Sequence, residues 1–357
     1  MFYINGSTLA VVFGGHRCPR LFAASLALCW YSAVPLVSFY HDFPGVFWML
    51  SELVLPAPAK LNLFLHIIGR RPDGYHNLQT LFQFLDYGDQ LTFSATDHGV
   101  ELVADLDGVA VADNLVMKAV RLLQQVSKCQ LGVRIVLDKR LPMGAGLGGG
   151  SSNAATALLG LNALWGLGLS MDQLARLGLQ LGADVPVFVR GYSAFAEGVG
   201  DVLTPMEPLQ EWFLVAVPDA HVNTAAMYGH PDLTRDSLPI TLRAALALSF
   251  ADHQQRRNDF QPLVRTLHPQ VDKTLRVLDN FAGLSIGPAM MSGSGASVFV
   301  RFASCEQAQA VQSELNTRIS RNGVPEQASR LHSFVARGTN ISPLHRALQS
   351  FGFALPV

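Results

Sequence analysis

The run Gly144-Ala145-Gly146-Leu147-Gly148-Gly149-Gly150-Ser151-Ser152 is where the chain carries its most distinctive chemistry. Five of its first seven residues are glycine, so backbone N–H groups can turn toward a common point with no Cβ in the way. Val133–Asp138 before it has the composition of a strand, and a helical pattern follows. Strand, glycine loop and helix in that order set unpaired N–H groups and the positive end of a helix dipole against the loop's occupant. The occupant they favour is a phosphate. Ser151 and Ser152 either add hydroxyl donors or a metal ligand, or they cap the helix.

The type of phosphate ligand is narrowed by what is missing. The P-loop spacing G-x4-G-K-[ST] does not occur, and the chain contains no Gly-Lys dipeptide. Gly144-x-Gly146-x-x-Gly149 satisfies the dinucleotide fingerprint G-x-G-x-x-G. Its setting is wrong, because Leu141-Pro142-Met143 separates the first glycine from the strand. Asp172, the nearest acid at the fingerprint's spacing, falls in the first turn of a helix where a strand end is required. An NAD-dependent oxidoreductase is therefore the second reading.

Other polar residues stand where they can meet a phosphate or its acceptor. Lys60-Leu61-Asn62-Leu63-Phe64-Leu65-His66-Ile67 alternates with period two, which predicts a strand with Leu61, Leu63, Leu65 and Ile67 on one face. Lys60 and Asn62 then share the other face, about 6.6 Å apart along the strand. Asp184 precedes Val185-Pro186, a position suited to an N-cap; a carboxylate near the loop also suits transfer to an alcohol. Tyr75 and His76 follow the turn Arg70–Gly74 and either stack on a pyrimidine or merely cover the core. G-x-S-x-G, HExxH and His/Cys clusters are absent, so a serine hydrolase or a structural metal site has no support.

These residues need elements to position them. The stretch 53–138 reads mainly as strands, with Leu78–Leu85 ending at Asp86-Tyr87-Gly88-Asp89, and a helix capped at Asp113-Asn114 running through Gln125. Ala154, Leu158, Leu161 and Trp165 form one apolar stripe of the helix after the loop. Ser170-Met171-Asp172-Gln173 is a capping box for the next, with Leu174, Leu177 and Leu181 inward and Gly182 at its end. Pro205 and Pro208 suggest a boundary near residue 208. Beyond it strands and helices mix, around a second glycine turn at Ser292-Gly293-Ser294-Gly295. Strands come in runs without regular βαβ alternation, so the class is α+β.

The whole chain sets outer bounds. Its 357 residues accommodate two domains, and 26 basic against 27 acidic residues leave a net charge of −1. That balance does not favour a nucleic-acid partner. Cys18, Cys29, Cys129 and Cys305 form no CxxC pair, which fits a reducing, cytoplasmic setting. Residues 1–48 are aromatic-rich, and Asp42 is their one acid. A signal, transit or anchoring segment is one reading, but Pro35 interrupts the apolar run and no clear cleavage pattern follows. The favoured expectation is that translation starts at Met49, with no stable membrane association. The pattern does not report on oligomeric state.

Pro142-x5-Gly148 followed by Gly-Gly-Ser-Ser-Asn-Ala-Ala resembles the ATP motif of the GHMP kinases, the family of galactose, homoserine, mevalonate and phosphomevalonate kinases. Pro58-Ala59-Lys60-Leu61-Asn62-Leu63, Asp73-Gly74-Tyr75-His76 and Gly182-Ala183-Asp184-Val185-Pro186 are similar to the branch whose substrate is a cytidine diphosphate ester of a sugar alcohol. The likeness runs from about Glu52 to the tail Gly338–His345.

The resemblance implies a GHMP-kinase fold, with an S5-like α/β N-terminal domain over 49–208 and a ferredoxin-like C-terminal domain over 209–357. It implies ATP with Mg²⁺, for which no protein ligand is named. ATP would lie along Pro142, Met143, Gly144, Ala145, Gly146, Leu147, Gly148, Gly149, Gly150, Ser151 and Ser152. Asn114 and Lys139 are adenosine-side candidates, though each equally suits a helix start or a solvated charge. Asp184 becomes the base and Lys60 its partner, stabilising charge during transfer. Asn62, Tyr75, His76 and Tyr228 become substrate contacts, and Ser292–Ser297 a turn closing on the site.

Overall fold

The computed structural model describes residues 4–5, 8–9, 52–104, 110–247, 256–321 and 331–353. The expectation about residues 1–48 lies almost wholly outside the described residues; within that stretch β1 (Ile4–Asn5) pairs antiparallel with β2 (Thr8–Leu9). Phe47–Val357 is a separate compact unit, and the remaining architecture belongs to it.

Its spine is one long antiparallel pair, β3 (Glu52–Arg70) and β4 (His76–Thr96), running from Glu52 opposite Ser94 to Arg70 opposite His76. The turn between them has Gly74 at φ +88°. There the Asp73 carboxylate accepts from the Tyr75 N–H at 3.1 Å and the Arg71 Nε at 3.0 Å.

The cluster Asp86-Tyr87-Gly88-Asp89 does not end the strand as its composition predicts. β4 continues through it to Thr96. Gly88 faces Pro58, and a Cβ there would stand 2.2 Å from the Ala57 carbonyl oxygen. Glycine is required for close backbone approach, not for a turn. Asp89 is buried, where its carboxylate accepts the N–H groups of Arg140 and Leu141, both at 2.8 Å.

β5 (Val100–Ala104) lies parallel to β6 (Gly132–Asp138), and β6 pairs antiparallel with β4. Between them runs α1 (Leu115–Ser127), capped by Asn114, whose Oδ1 accepts the Val116 N–H at 2.9 Å. α2 (Gly149–Leu164) follows the glycine loop. Its predicted stripe of Ala154, Leu158 and Leu161 is buried, but so is every residue from Ser152 to Leu161, because neighbours enclose the helix on all sides. α3 (Met171–Leu181) opens with the predicted capping box of Ser170 and Gln173 and closes at Gly182.

After α3 come α4 (Val185–Arg190), β7 (Ala194–Glu197), β8 (Val202–Pro205), β9 (Trp212–Val217) and α5 (Thr224–Gly229). Next are α6 (Leu242–Ala247), α7 (Gln261–Leu267), α8 (Pro269–Asp279), β10 (Met290–Met291) and β11 (Val298–Phe302). α9 (Cys305–Arg321), β12 (His332–Thr339) and α10 (Pro343–Ser350) complete the order.

The main sheet runs β10-β11-β9-β12-β4-β6-β5, with β3 and β7 also paired to β4, and β8 to β7. β12 joins β4 at Gly338–Leu85 and Thr339–Phe84, so β4 connects the two halves. This mixed sheet with helices is the α+β architecture read from the sequence. One core packs Leu53, Phe93, Val120, Leu158 and Phe188 beneath α1–α4, and a second packs Leu214, Phe260, Val264, Leu275 and Phe302. Leu344 and Leu348 of α10 return to the first core. Burying each leucine contributes about 2 kcal/mol to holding the tail there.

Candidate active site

The register of β3 against β4 slips between Pro58 and Lys60 and again between Asn62 and Leu65. Such bulges bend a strand and re-aim its side chains. The second slip breaks the predicted alternation: Leu61 packs with Leu85 and Phe213, whereas Leu65 and Ile67 join the other core. Lys60 and Asn62 keep a common face, and Lys60 Nζ donates to Asn62 Oδ1 at 2.6 Å.

The Lys60 ammonium has three N–H donors and three acceptors around it. Besides Asn62, it reaches the Gly146 carbonyl oxygen at 3.2 Å and Asp184 Oδ2 at 3.3 Å. Its side chain is 3 % exposed and that of Asp184 36 %. One partner is thus held in the interior while the other faces solvent. Asp184 precedes α4 but its side chain makes no capping bond, so the cap reading does not hold. Oδ2 pairs with Lys60, and Oδ1 has no hydrogen bond among the described residues.

The loop beside this pair is ordered by its carbonyls. Ala145 O accepts from the Ser297 N–H, Gly146 O from Lys60 and Ser292, Leu147 O from the Lys60 N–H, and Gly148 O from the Ser152 N–H. The N–H groups of Gly146 through Ser151 donate to no other described group. Gly144, Gly146 and Gly148 take φ of +66°, +75° and +73°, while Ala145 and Leu147 between them are buried. Alternate residues therefore anchor the loop and free its amides, an arrangement that fits a polyphosphate. A Cβ on Gly146 would stand 2.3 Å from the Ser292 carbonyl oxygen, and one on Gly148 2.8 Å from the Phe188 ring.

The N-cap of α2 is Gly148, not Ser151 or Ser152, and no side chain caps it. Ser152 is fully buried, whereas Ser151 is partly accessible, its Oγ 3.7 Å from where a Cβ on Gly182 would lie. Lys139 Nζ pairs with Asp89 Oδ2 at 2.7 Å and lies 3.2 Å from a Cβ placed on Gly149, which sets a positive charge under the loop. Asn114 caps α1, whose first residue Leu115 would lie 3.5 Å from a Cβ placed on Gly150. Pro142 is partly buried and Met143 is exposed at the loop's entrance.

The second glycine turn seats on the first. Ser292 Oγ donates to Gly146 O at 3.1 Å and accepts the Asn62 N–H at 3.1 Å. Asn258, buried and absent from the sequence-based candidates, donates both Nδ2 protons to this turn, at 2.8 Å to Met291 O and 2.7 Å to Gly293 O. Thr80 holds the Asn62 amide at 2.9 Å. Ser292 carried a signal in its glycine-rich surroundings. Asn258 and Thr80 act across folds of the chain that no local pattern records.

The residues read as substrate contacts divide. His76 stacks on Tyr228, with centroids 4.9 Å apart and planes 23° from parallel, and Tyr228 packs edge-on against Phe260. Burial, and then the Asp184 charge, push the Tyr228 hydroxyl up to about 12. Tyr228 is thus packed between the His76 ring and the Phe260 ring. Tyr75 stands apart and is 66 % exposed.

Among the described residues no three His, Cys, Asp or Glu side chains converge. A bound cation would be held mainly by oxygens of the phosphate ligand and water, which is how Mg²⁺ is usually held beside ATP.

The model of the GHMP kinases N terminal domain matches residues 114–192, and that of the GHMP kinases C terminal matches residues 241–320. Fold and site together define a GHMP kinase, a class that uses ATP as phosphoryl donor. A 4-diphosphocytidyl-2-C-methyl-D-erythritol kinase of Pseudomonas syringae pv. tomato is 51% identical over 84% of this chain and 98% of its own length. One of Marinobacter nauticus is 50% identical over 84% and 99%. The crystal structure of a 4-(cytidine 5'-diphospho)-2C-methyl-D-erythritol kinase aligns with a TM-score of 0.66 at 32% identity, covering 80% of this chain and 99% of that one. Homoserine kinase from Cytophaga hutchinsonii shares the fold, at a TM-score of 0.59 and 18% identity over 85% and 98% of the two chains. The chain belongs to the 4-diphosphocytidyl-2-C-methyl-D-erythritol kinase family. The dinucleotide fingerprint is set aside accordingly: β6 ends at Asp138, well before Gly144, and Asp172 lies in α3.

Proposed function

We propose that the chain transfers the γ-phosphoryl group of ATP to the 2-hydroxyl of 4-diphosphocytidyl-2-C-methyl-D-erythritol, a step of non-mevalonate isoprenoid precursor synthesis. The observation that carries the mechanism is the buried Lys60 ammonium, bonded at once to the phosphate loop through Gly146 O and to Asp184. Asp184 Oδ1 accepts the proton of the attacking hydroxyl, and Lys60 stabilises negative charge as the phosphoryl group passes. The free amides of Gly146–Ser151 hold the phosphates, with Lys139 adding charge beneath them. Asn62, fixed by Lys60 and Thr80, orients the acceptor, and Tyr75, His76 and Tyr228 bind the cytidine end. Mg²⁺, when bound with ATP, would neutralise phosphate charge, with Ser151 the hydroxyl best placed to join its shell.

The seam between the two domains falls near residue 208, between β8 and β9, with the two matched family segments on either side. No helix among the described residues is long and apolar enough to cross a membrane. A reducing cytoplasm is the compartment this reading implies.

The test is ADP release against a panel of the cytidine substrate, mevalonate and homoserine. Turnover confined to the cytidine compound is the expected result. Equal or better turnover of mevalonate or homoserine would refute the acceptor assignment.

A further inference from the structure

The base-recognition end contains an arginine that no sequence motif singled out. Arg235 lies between α5 and α6, and its guanidinium carries five N–H donors in a rigid fork. All five are engaged. Nε donates to His76 Nε2 at 3.1 Å. One terminal nitrogen donates to Tyr228 O at 2.8 Å and His230 O at 2.7 Å. The other donates to Leu233 O at 3.0 Å and Pro231 O at 3.4 Å. A single side chain thereby ties the segment 228–233 into a compact turn and binds that turn to the first residue of β4. The His76–Tyr228 stack is the contact thus secured.

The bond to His76 also has a chemical consequence. An arginine in a protein stays protonated and can only donate, so the nitrogen it meets must be an acceptor. His76 must then be neutral and carry its proton on Nδ1. Burial, followed by the Arg235 and Arg70 charges, disfavours the imidazolium and agrees with a neutral ring. Nδ1 makes no hydrogen bond among the described residues.

We propose that Arg235 is a positioning residue for substrate recognition: it locks His76 as the Nδ1–H tautomer and fixes it against Tyr228, so that the ring offers a donor to an acceptor atom of the pyrimidine. Its bearing on catalysis rests on the assignment of His76 to the cytidine end. Cytosine suits such a donor because its ring edge presents a carbonyl oxygen and an unprotonated nitrogen. A lysine cannot replace the fork, since it has three donors on one nitrogen and cannot span ring and turn together.

The experiment reads the His76 tautomer directly, by long-range ¹⁵N–¹H correlation of the imidazole in the full chain without ligand. The parent protein should show Nδ1–H; an Nε2–H ring in the parent would overturn the proposal whatever any variant does. In Arg235→Gln the signal should move toward Nε2–H, and the KM for the cytidine substrate should rise roughly tenfold, the loss of one charge-assisted bond. The KM for ATP should stay within about twofold, a split that general misfolding would not produce. Arg235→Lys should restore neither the tautomer nor the KM. Full rescue by lysine would overturn the geometric role, as would an unchanged tautomer in Arg235→Gln. His76→Ala separates the two layers: an unchanged KM there refutes the cytidine assignment, while the spectra still decide the tautomer.

Discussion

The phosphate end and the base end of the site are built from different materials. At the proposed phosphate end the main chain offers most of the binding groups. Loop carbonyls are tied down by Lys60, Ser292, Ser297 and Ser152, and loop amides are left to face the ligand. At the proposed base end the groups on offer are side chains, His76 and Tyr228 held together by Arg235, with Tyr75 projecting into solvent. Lys60 stands on β3 opposite Phe84 and His76 begins β4 opposite Arg70, so one strand pair carries both ends. ATP is a ligand common to many kinases and can be met by backbone geometry that tolerates neighbouring change. Recognition of one alcohol among many falls to a few side chains, and those can be altered one at a time.

The sharpest break at the chemical junction is Asp184→Asn. It keeps the size of the side chain but removes the proton acceptor, and kcat should fall roughly 10³-fold, within the range for loss of general-base catalysis. Lys60→Ala should lower kcat by a comparable factor, because it removes both the charge and the link between loop and carboxylate. Single-turnover rates and circular dichroism check the pair; near-normal chemistry in either folded variant would refute the assigned roles.

The next effect tests the claim that backbone geometry builds the phosphate end. Gly146→Ala places a methyl group against the Ser292 carbonyl oxygen at a backbone φ of +75°. Strain and overpacking should cost about 2 kcal/mol of stability, and the KM for ATP should rise. Gly150→Ala is the control, since its Cβ would meet only Leu115 Cδ1 at 3.5 Å inside a helix. Denaturant melts of the two should diverge, and equal losses would show that the loop's glycines are interchangeable.

These materials also explain what was legible in the sequence. Requirements imposed by near neighbours were readable: glycines for positive φ, the Ser170–Gln173 capping box and the loop between β6 and α2. Asp86–Asp89 misled because polar residues beside glycine usually mark a turn. Here Gly88 serves a crossing with Ala57 and Pro58, and Asp89 serves the backbone beyond β6. Asn258 and Arg235 were invisible for the same reason. The partners of Asn258, and the His76 ring that Arg235 meets, lie on other elements, at distances along the chain fixed only once the sheet has formed. The Lys60–Asp184 pair was reached through family resemblance, because alternation alone makes Lys60 an ordinary strand lysine.

At the base end, Tyr75→Ala should raise the KM for the cytidine substrate by roughly five- to tenfold, the worth of one base–aromatic stack. Because Tyr75 is exposed and packs on no core, thermal stability should hold within about 0.5 kcal/mol. An unchanged KM would leave the base to His76 and Tyr228 alone. A raised KM for ATP instead would reverse the assignment of the two ends.

The smallest expected effect is a pH dependence confined to the base end. His76 is held below its ordinary value of 6.5, by burial first and then by the charges of Arg235 and Arg70. As pH falls, the unfolded chain takes this proton before the folded one. The stability contributed by the neutral ring is therefore complete above 6.5 and is lost as pH drops through 6.5 toward the depressed value. Binding follows the same sign. A protonated ring donates from both nitrogens and can no longer accept from Arg235, and two like charges then oppose each other. Between about pH 7.5 and pH 5.5 the KM for the cytidine substrate should rise a few-fold, and His76→Gln should flatten that rise. Steady-state kinetics with each substrate varied in turn is the measurement. A steeper change in the KM for ATP would place the titrating group at the phosphate end.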